Sequence, residues 1–328
     1  MYSNITIQEL LKNSKVEKLR TKGIDIKLAE SQQSNLKESS NTEHNEVSLF
    51  EVEKANDVIH EALNQPDPLY LFPELILENS FNILFADTGV GKTILSFQMA
   101  IHIALAGYAT IYLDLELSKK QFQKRYVNEN GVPFKLPNNL YRIGFSSLKK
   151  VPKNISYEDF FFRSLIKAIK LTNAKVIILD NLTKLAAGDT DSAKTSIPLL
   201  ERLNDLKTNG KLTILVLEHN KKVDNTRPIN INDLQGSKMK SNLVDSVLSI
   251  GKSVKDTKLR YIKQVKVRDG EMIYDENNVK VCEISRSRGY LAFNDVGVSS
   301  EYEHLSMPSK KDKQAEVLKV KEKEIMTV

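Results

Sequence analysis

One stretch limits the possible folds of this chain more than any other: FNILFADTGVGKT, residues 81–93. Its first six residues, Phe81 to Ala86, are mostly large and apolar, as in a strand buried on both faces. The loop that follows ends Gly-Val-Gly-Lys-Thr, and the next segment, ILSFQMAIHIALAG, carries Leu95, Met99 and Ile103 at helical spacing and stops at Gly107. A strand that passes through a glycine-bearing loop into a helix predicts an α/β layer architecture. Consecutive backbone N–H groups at a helix N-terminus also make an anion site. The spacing is that of the phosphate loop, Gly-x-x-x-x-Gly-Lys-Ser/Thr, with Ala86 at the first glycine position. A methyl group fits there if φ stays negative. Ala86, Asp87, Thr88, Gly89, Val90, Gly91, Lys92 and Thr93 are therefore the expected nucleotide cradle. Lys92 is placed to reach the β and γ phosphates and Thr93 to ligate Mg²⁺, so ATP and Mg²⁺ are the implied cofactors.

Short apolar runs alternating with amphipathic stretches continue to about residue 296, the pattern of a parallel sheet flanked by helices. Core strands are expected at 81–86, 110–115, 175–180 and 212–218. Four more apolar segments follow, LVDSVLSI, LRYIKQVKV, VKVCEIS and GYLAF. The turn signals Arg268-Asp269-Gly270 and Ser287-Arg288-Gly289 between them predict an antiparallel, strand-rich C-terminal edge. Residues 1–48 read as a helical leader (Ile7, Leu10, Leu11, Val16, Leu19) and a polar linker unable to bury itself. Residues 49–300 read as the core and 301–328 as a mixed-charge, helix-prone tail. No apolar run reaches the roughly 18 residues of a membrane span, and the N-terminus lacks a signal-peptide apolar region. A single cysteine, Cys282, excludes an intrachain disulfide and suits a reducing, cytoplasmic compartment.

A phosphate loop needs a carboxylate at the end of a neighbouring buried strand to hold Mg²⁺, commonly through water. AKVIILDNL supplies one, Asp180. Hydrolysis also needs a group that polarises the attacking water. In ATIYLDLELSKKQFQKR, Glu116 lies just beyond the second strand, with Asp114 two residues earlier as the alternative on the same side.

At these residues the chain resembles a known family. Leu115-Glu116-Leu117-Ser118, followed by Gln121 and Arg125, is similar to the Ser-Leu-Glu-Met-Ser…Gln-Leu…Arg signature of DnaB-type replicative helicases. The wider match is to RecA-like hexameric ATPases, and within them to the RepA-type plasmid replication helicases. It implies a RecA-like P-loop NTPase fold and the role of catalytic base for Glu116. LTILVLEHNKK resembles the fourth core strand, which ends in a polar sensor of the γ-phosphate, here His219 with Asn220 beside it. NDLQGSKMKSNLVDSVLSI resembles a further helicase stretch, with Gln235 in place of an arginine. KVRDG resembles Lys-Gln-Arg-Asn-Gly, whose lysine and arginine reach a neighbouring subunit's ATP; this makes Lys266 and Arg268 a trans pair with Arg268 the arginine finger. The resemblance covers about residues 75–296, without a match to the primase-binding domain of DnaB-type proteins.

The resemblance implies an ATP-driven, ring-forming motor on single-stranded DNA, a hexameric homo-oligomer serving a plasmid or mobile element alongside a primase or replication initiator. In this family the loops after the third and fourth strands face the ring axis. Here they carry Lys184 and Lys194, and then Lys221, Lys222, Arg227, Lys238 and Lys240. From Lys238 to Arg268 there are nine Lys/Arg against two acids, Asp245 and Asp256. The second loop, KKVDNTRPININDLQGSKMK, has no aromatic residue, so sequence-independent contact with a phosphate backbone is the natural expectation. The competing reading is a nucleotide-gated DNA-binding or assembly ATPase of the recombinase or KaiC-like kind.

Overall fold

The structure is a computed structural model and describes residues 52–128, 130–145, 150–182, 193–220, 224–286 and 289–307. They belong to two units, Met1–Pro66 and Asp67–Val328. The leader and linker at 1–48, and the tail from 308, lie outside the described residues. In the first unit a single helix is described, α1 (Ala55–Ala62), with no buried residue.

The second unit begins with a small antiparallel pair, β1 (Tyr70–Phe72) and β2 (Ile76–Leu77). The chain then runs β3 (Phe81–Ala86), α2 (Lys92–Leu105), β4 (Thr110–Asp114), α3 (Lys119–Arg125), β5 (Leu140–Ile143), α4 (Tyr157–Thr172), β6 (Val176–Asp180), α5 (Ala193–Gly210), β7 (Thr213–His219), α6 (Ser237–Leu243), β8 (Ser246–Lys252), β9 (Leu259–Val267), β10 (Val279–Ser285) and β11 (Ala292–Ser299). Nine strands form one sheet in the order β11-β10-β9-β8-β3-β7-β6-β4-β5. From β5 to β8 every pairing is parallel; from β8 to β11 every pairing is antiparallel. This is the α/β arrangement expected from the sequence, a mostly parallel sheet with an antiparallel edge.

Alternation along the central strands explains the two-sided core. Leu84 and Ala86 of β3 join Tyr112, Ile178 and Leu217 against Leu95, Phe97 and Met99 of α2. Phe81, Ile83 and Phe85 face the other way and join Ile111, Ile177 and Val216 against Phe162 of α4 and Leu199, Leu200 and Leu203 of α5. At about 1.5–3 kcal/mol per fully buried large apolar side chain, these two layers dominate the stability of the sheet. β3 sits at the centre with β7 and β8 on either side. The loop leaving its C-terminal end is thereby anchored on a strand buried at all six positions.

Two local features follow from side-chain chemistry. Ser118 caps α3: its hydroxyl accepts from the Gln121 N–H while Gln121 Oε1 accepts from the Ser118 N–H, a capping box. Residues 301–307, assigned to the tail by sequence, include buried Glu301 and His304. The Glu301 carboxylate accepts from Lys263 Nζ (2.7 Å) and from the Ile229 N–H (2.8 Å), which joins this segment to β9 and to the chain before α6.

Candidate functional site

The phosphate loop opens at the C-terminal end of β3. Ala86 keeps the extended backbone of the strand, paired with His219 of β7, and its methyl is buried. A residue held in a strand has no need of glycine, which explains why alanine serves at this position. Gly89 and Gly91 do need their freedom, with φ of +73° and +118°. At Gly91 a Cβ would also meet the Phe293 ring at 2.8 Å, because β11 lays that ring on the start of α2. Among the described residues, none of the N–H groups of Gly89, Val90, Gly91, Lys92 and Thr93 has a partner within the protein. Five free donors at a helix N-terminus suit a chain of phosphates.

Lys92 is buried, and its ammonium donates to the carbonyls of Ala86 (2.5 Å) and Asp87 (3.1 Å). Burial lowers its pKa, opposed by Asp180, Asp87, Glu116 and Glu218. An ammonium held by two carbonyls, with four carboxylates acting on it, is available to a stronger anion. Asp180 ends β6 directly beside Asp114 of β4. Its carboxylate accepts from Tyr112 Oη (2.8 Å), which also meets Ser96 Oγ at 2.9 Å, and the Thr93 hydroxyl lies close enough to favour the ionised form. Burial raises the Asp180 pKa to about 6, countered by the two hydroxyls. Thr93 and Asp180 are thus brought together as oxygen ligands of the kind Mg²⁺ takes.

The two base candidates have different surroundings. Asp114 is buried; it accepts from Arg142 Nε (2.8 Å) and from the N–H groups of Glu116 (3.2 Å) and Leu117 (2.8 Å). It is occupied in shaping the turn. Glu116 is exposed, and its Oε1 accepts from Asn181 Nδ2 at 2.5 Å. The same Asn181 nitrogen lies 3.2 Å from His219 Nε2, while His219 Nδ1 lies 3.4 Å from Lys92 Nζ. Burial, then the Lys92 charge, lower the His219 pKa, so the ring is neutral near pH 7. Lys92, His219, Asn181 and Glu116 form one connected row. Asn181 was missed in the sequence; the only signal was its place directly after Asp180 in AKVIILDNL.

Lys266 and Arg268 are not part of this cluster. Lys266 pairs with Val247 near the start of β8, and its ammonium donates to the carbonyls of Ser241 (2.6 Å) and Val244 (2.8 Å). Arg268 donates to Asp245 Oδ1 (3.0 Å) and to the Asn242 carbonyl (2.9 Å), and remains half exposed. Asp245 in turn accepts from the Phe81 N–H, at the opposite end of β3 from the phosphate loop. The five steps from Phe81 to Ala86 span roughly 16 Å at about 3.3 Å per residue. Neither cation reaches the loop of its own chain.

The expected DNA contacts are corrected in part. Lys240 is buried, and its ammonium lies 2.7 Å from the buried Glu218 carboxylate, because α6 folds back on β7. It is a core ion pair and presents nothing to a ligand. Arg227 is held by Asp233 through both terminal nitrogens (2.9 and 2.5 Å), so its charge is largely compensated. Lys184, Lys221 and Lys222 lie outside the described residues, as do the side chains of Lys194 and Lys238.

A search of curated proteins gives no match. Among solved structures the chain is similar to a KaiC-like protein of the hyperthermophilic archaeon Pyrococcus horikoshii OT3, at 17% identity over 69% of this chain and 95% of that one, with a TM-score of 0.46. Residues 49–225, more than half of the chain, match the family model described as an AAA domain. Together with a phosphate loop whose N–H donors are free, this match places the protein: it belongs to the AAA domain family of nucleotide-dependent ATPases.

Proposed function

We propose that this chain hydrolyses ATP with Glu116 as general base, and that it works as a ring-forming motor on single-stranded DNA. The observation that carries the chemistry is the connected row of Lys92, His219, Asn181 and Glu116 beside Thr93 and Asp180. Lys92 exchanges its two carbonyl partners for β and γ phosphate oxygens. Thr93 and Asp180 would hold Mg²⁺, which when bound would neutralise charge on the phosphates. Glu116, exposed and less constrained than Asp114, takes the proton of the attacking water, and His219 directs a ring nitrogen at the terminal phosphate.

The motor part of this reading rests on the ordered resemblances in sequence and on the placement of Lys266 and Arg268. They sit at the end of the sheet remote from their own loop, as suits groups that serve a neighbour. Burial of Lys240 and pairing of Arg227 favour a second reading, a nucleotide-gated assembly ATPase that does not track along DNA. ATP turnover with and without single-stranded DNA, together with strand displacement on a forked duplex, separates the two. DNA-stimulated turnover with unwinding supports the motor. Turnover indifferent to DNA, with nucleotide-dependent assembly, supports the second reading.

A further inference from the structure

Asn181 makes a contact on each side that together fix a chemical state. A carboxylate only accepts hydrogen bonds, so the Asn181 atom 2.5 Å from Glu116 Oε1 is the amide nitrogen, which sets the orientation of that amide. Its second hydrogen then points to His219 Nε2, 3.2 Å away, and this ring nitrogen has to accept. A neutral imidazole that accepts at Nε2 carries its proton on Nδ1. Nδ1 is the atom that faces Lys92, at 3.4 Å; Lys92 places two of its three donors on the carbonyls of Ala86 and Asp87, and the third competes for Nδ1 only at a longer distance than the Asn181 amide keeps to Nε2. The Nδ1 proton therefore has no acceptor in Lys92; it is directed at the region the Lys92 ammonium serves.

We propose that Asn181 is a positioning residue that holds Glu116 in place and, by the same amide, sets His219 in the Nδ1–H tautomer, so that His219 offers a donor to the terminal phosphate. The tautomer rests on the shorter contact, that of Asn181 with Nε2, over the longer one of Lys92 with Nδ1, whereas the consequence for turnover rests on the ATPase reading. With the alternative tautomer, Nε2–H would face the amide hydrogens of Asn181 and His219 would offer a lone pair, not a donor, towards the phosphates. Asn181 thus links the group that activates water to the group that senses the phosphate being released.

The test begins with the nucleotide-free full chain, labelled with ¹⁵N-histidine and held at about pH 8, above the imidazole range. The His219 signals are identified by their loss in His219→Gln. A protonated Nδ1 and a bare Nε2 are expected; a protonated Nε2 overturns the proposal without any need for a variant at position 181. In Asn181→Ala the tautomer preference should weaken. Turnover at saturating ATP should fall about 10²-fold, as for a displaced catalytic group, with the affinity for a non-hydrolysable ATP analogue within about 3-fold of wild type. Asn181→Gln, which keeps the amide, should recover part of the loss, and Asn181→Asp, which opposes a carboxylate to Glu116, should not. Wild-type turnover in Asn181→Ala overturns the proposal, as does equal loss in the Gln and Asp variants. Wild-type turnover in Glu116→Gln would instead remove the reading of Glu116 as base, a failure the histidine spectrum distinguishes.

Discussion

The Lys240 ammonium lies 2.7 Å from the Glu218 carboxylate with both side chains buried, and Glu218 immediately precedes His219 at the end of β7. The pair ties α6 to the strand that carries the histidine. Removing one partner leaves the other buried and uncompensated, so Lys240→Met should cost about 3–5 kcal/mol, while replacing both residues by apolar ones should be nearly neutral. Burial raises the Glu218 pKa against the opposing pull of Lys240. A carboxylate whose folded pKa is raised contributes stability below its unfolded pKa and loses it as pH rises through the folded value. Lys240→Met removes the pull and raises that pKa further. The melting-temperature deficit of this variant should therefore be larger near pH 8 than near pH 5, as thermal unfolding at the two pH values will show.

Glu116 and Asp114 are separable by experiment. Glu116→Gln should retain nucleotide binding and lose about 10²–10⁴-fold in turnover. Asp114→Asn should act mainly on stability, by about 1–3 kcal/mol, because it weakens the Arg142 pair and the bonds that shape the turn after β4. Single-turnover kinetics and thermal melts on both variants decide the assignment; a folded Asp114→Asn protein that is the more crippled of the two reverses it.

At Gly91 two effects act together. Alanine there meets the Phe293 ring and is forced to a φ of +118°. The backbone alone costs roughly 1–3 kcal/mol. Gly91→Ala should abolish nucleotide binding, and adding Phe293→Ala should not restore it, since the backbone cost remains. Calorimetric titration with ATP on the single and double variants checks this.

Arg268→Ala loses a half-exposed ion pair with Asp245, worth about 0–1 kcal/mol, and an exposed hydrogen bond to the Asn242 carbonyl, so the subunit should fold and bind ATP. If Arg268 serves a neighbour, turnover should fall by roughly 10³–10⁵. Mixing this protein with Lys92→Ala protein then creates sites with an intact loop and an intact finger, and partial activity should return. A mixture that stays inactive although mixed assemblies form removes the trans role.

The buried parallel strands were legible because β3, β4, β6 and β7 are runs of large apolar residues closed on both faces. β5 was not, since Leu140–Ile143 is a half-exposed edge strand of mixed polarity, and the β1–β2 pair is too short to show a period. The phosphate loop could be read because its geometry is local. Asn181 could not, since its contact with Glu116 depends on β4 and β6 lying side by side in register. Lys240 misled because charge density along a sequence carries no sign of a helix that turns its lysine inward.

The Phe293 ring on Gly91 has a consequence for the order of events during synthesis. The loop residues leave the ribosome about 200 residues before β11 does, and the family match itself ends at residue 225. Arg260, which donates to the Val90 carbonyl from β9, also arrives late. A nascent chain that has just completed the matched segment possesses every loop residue but neither of the side chains that brace the loop from outside. The loop is then braced from outside only when the last strands dock. A fragment comprising residues 49–225 alone should therefore hold ATP more weakly than the full chain.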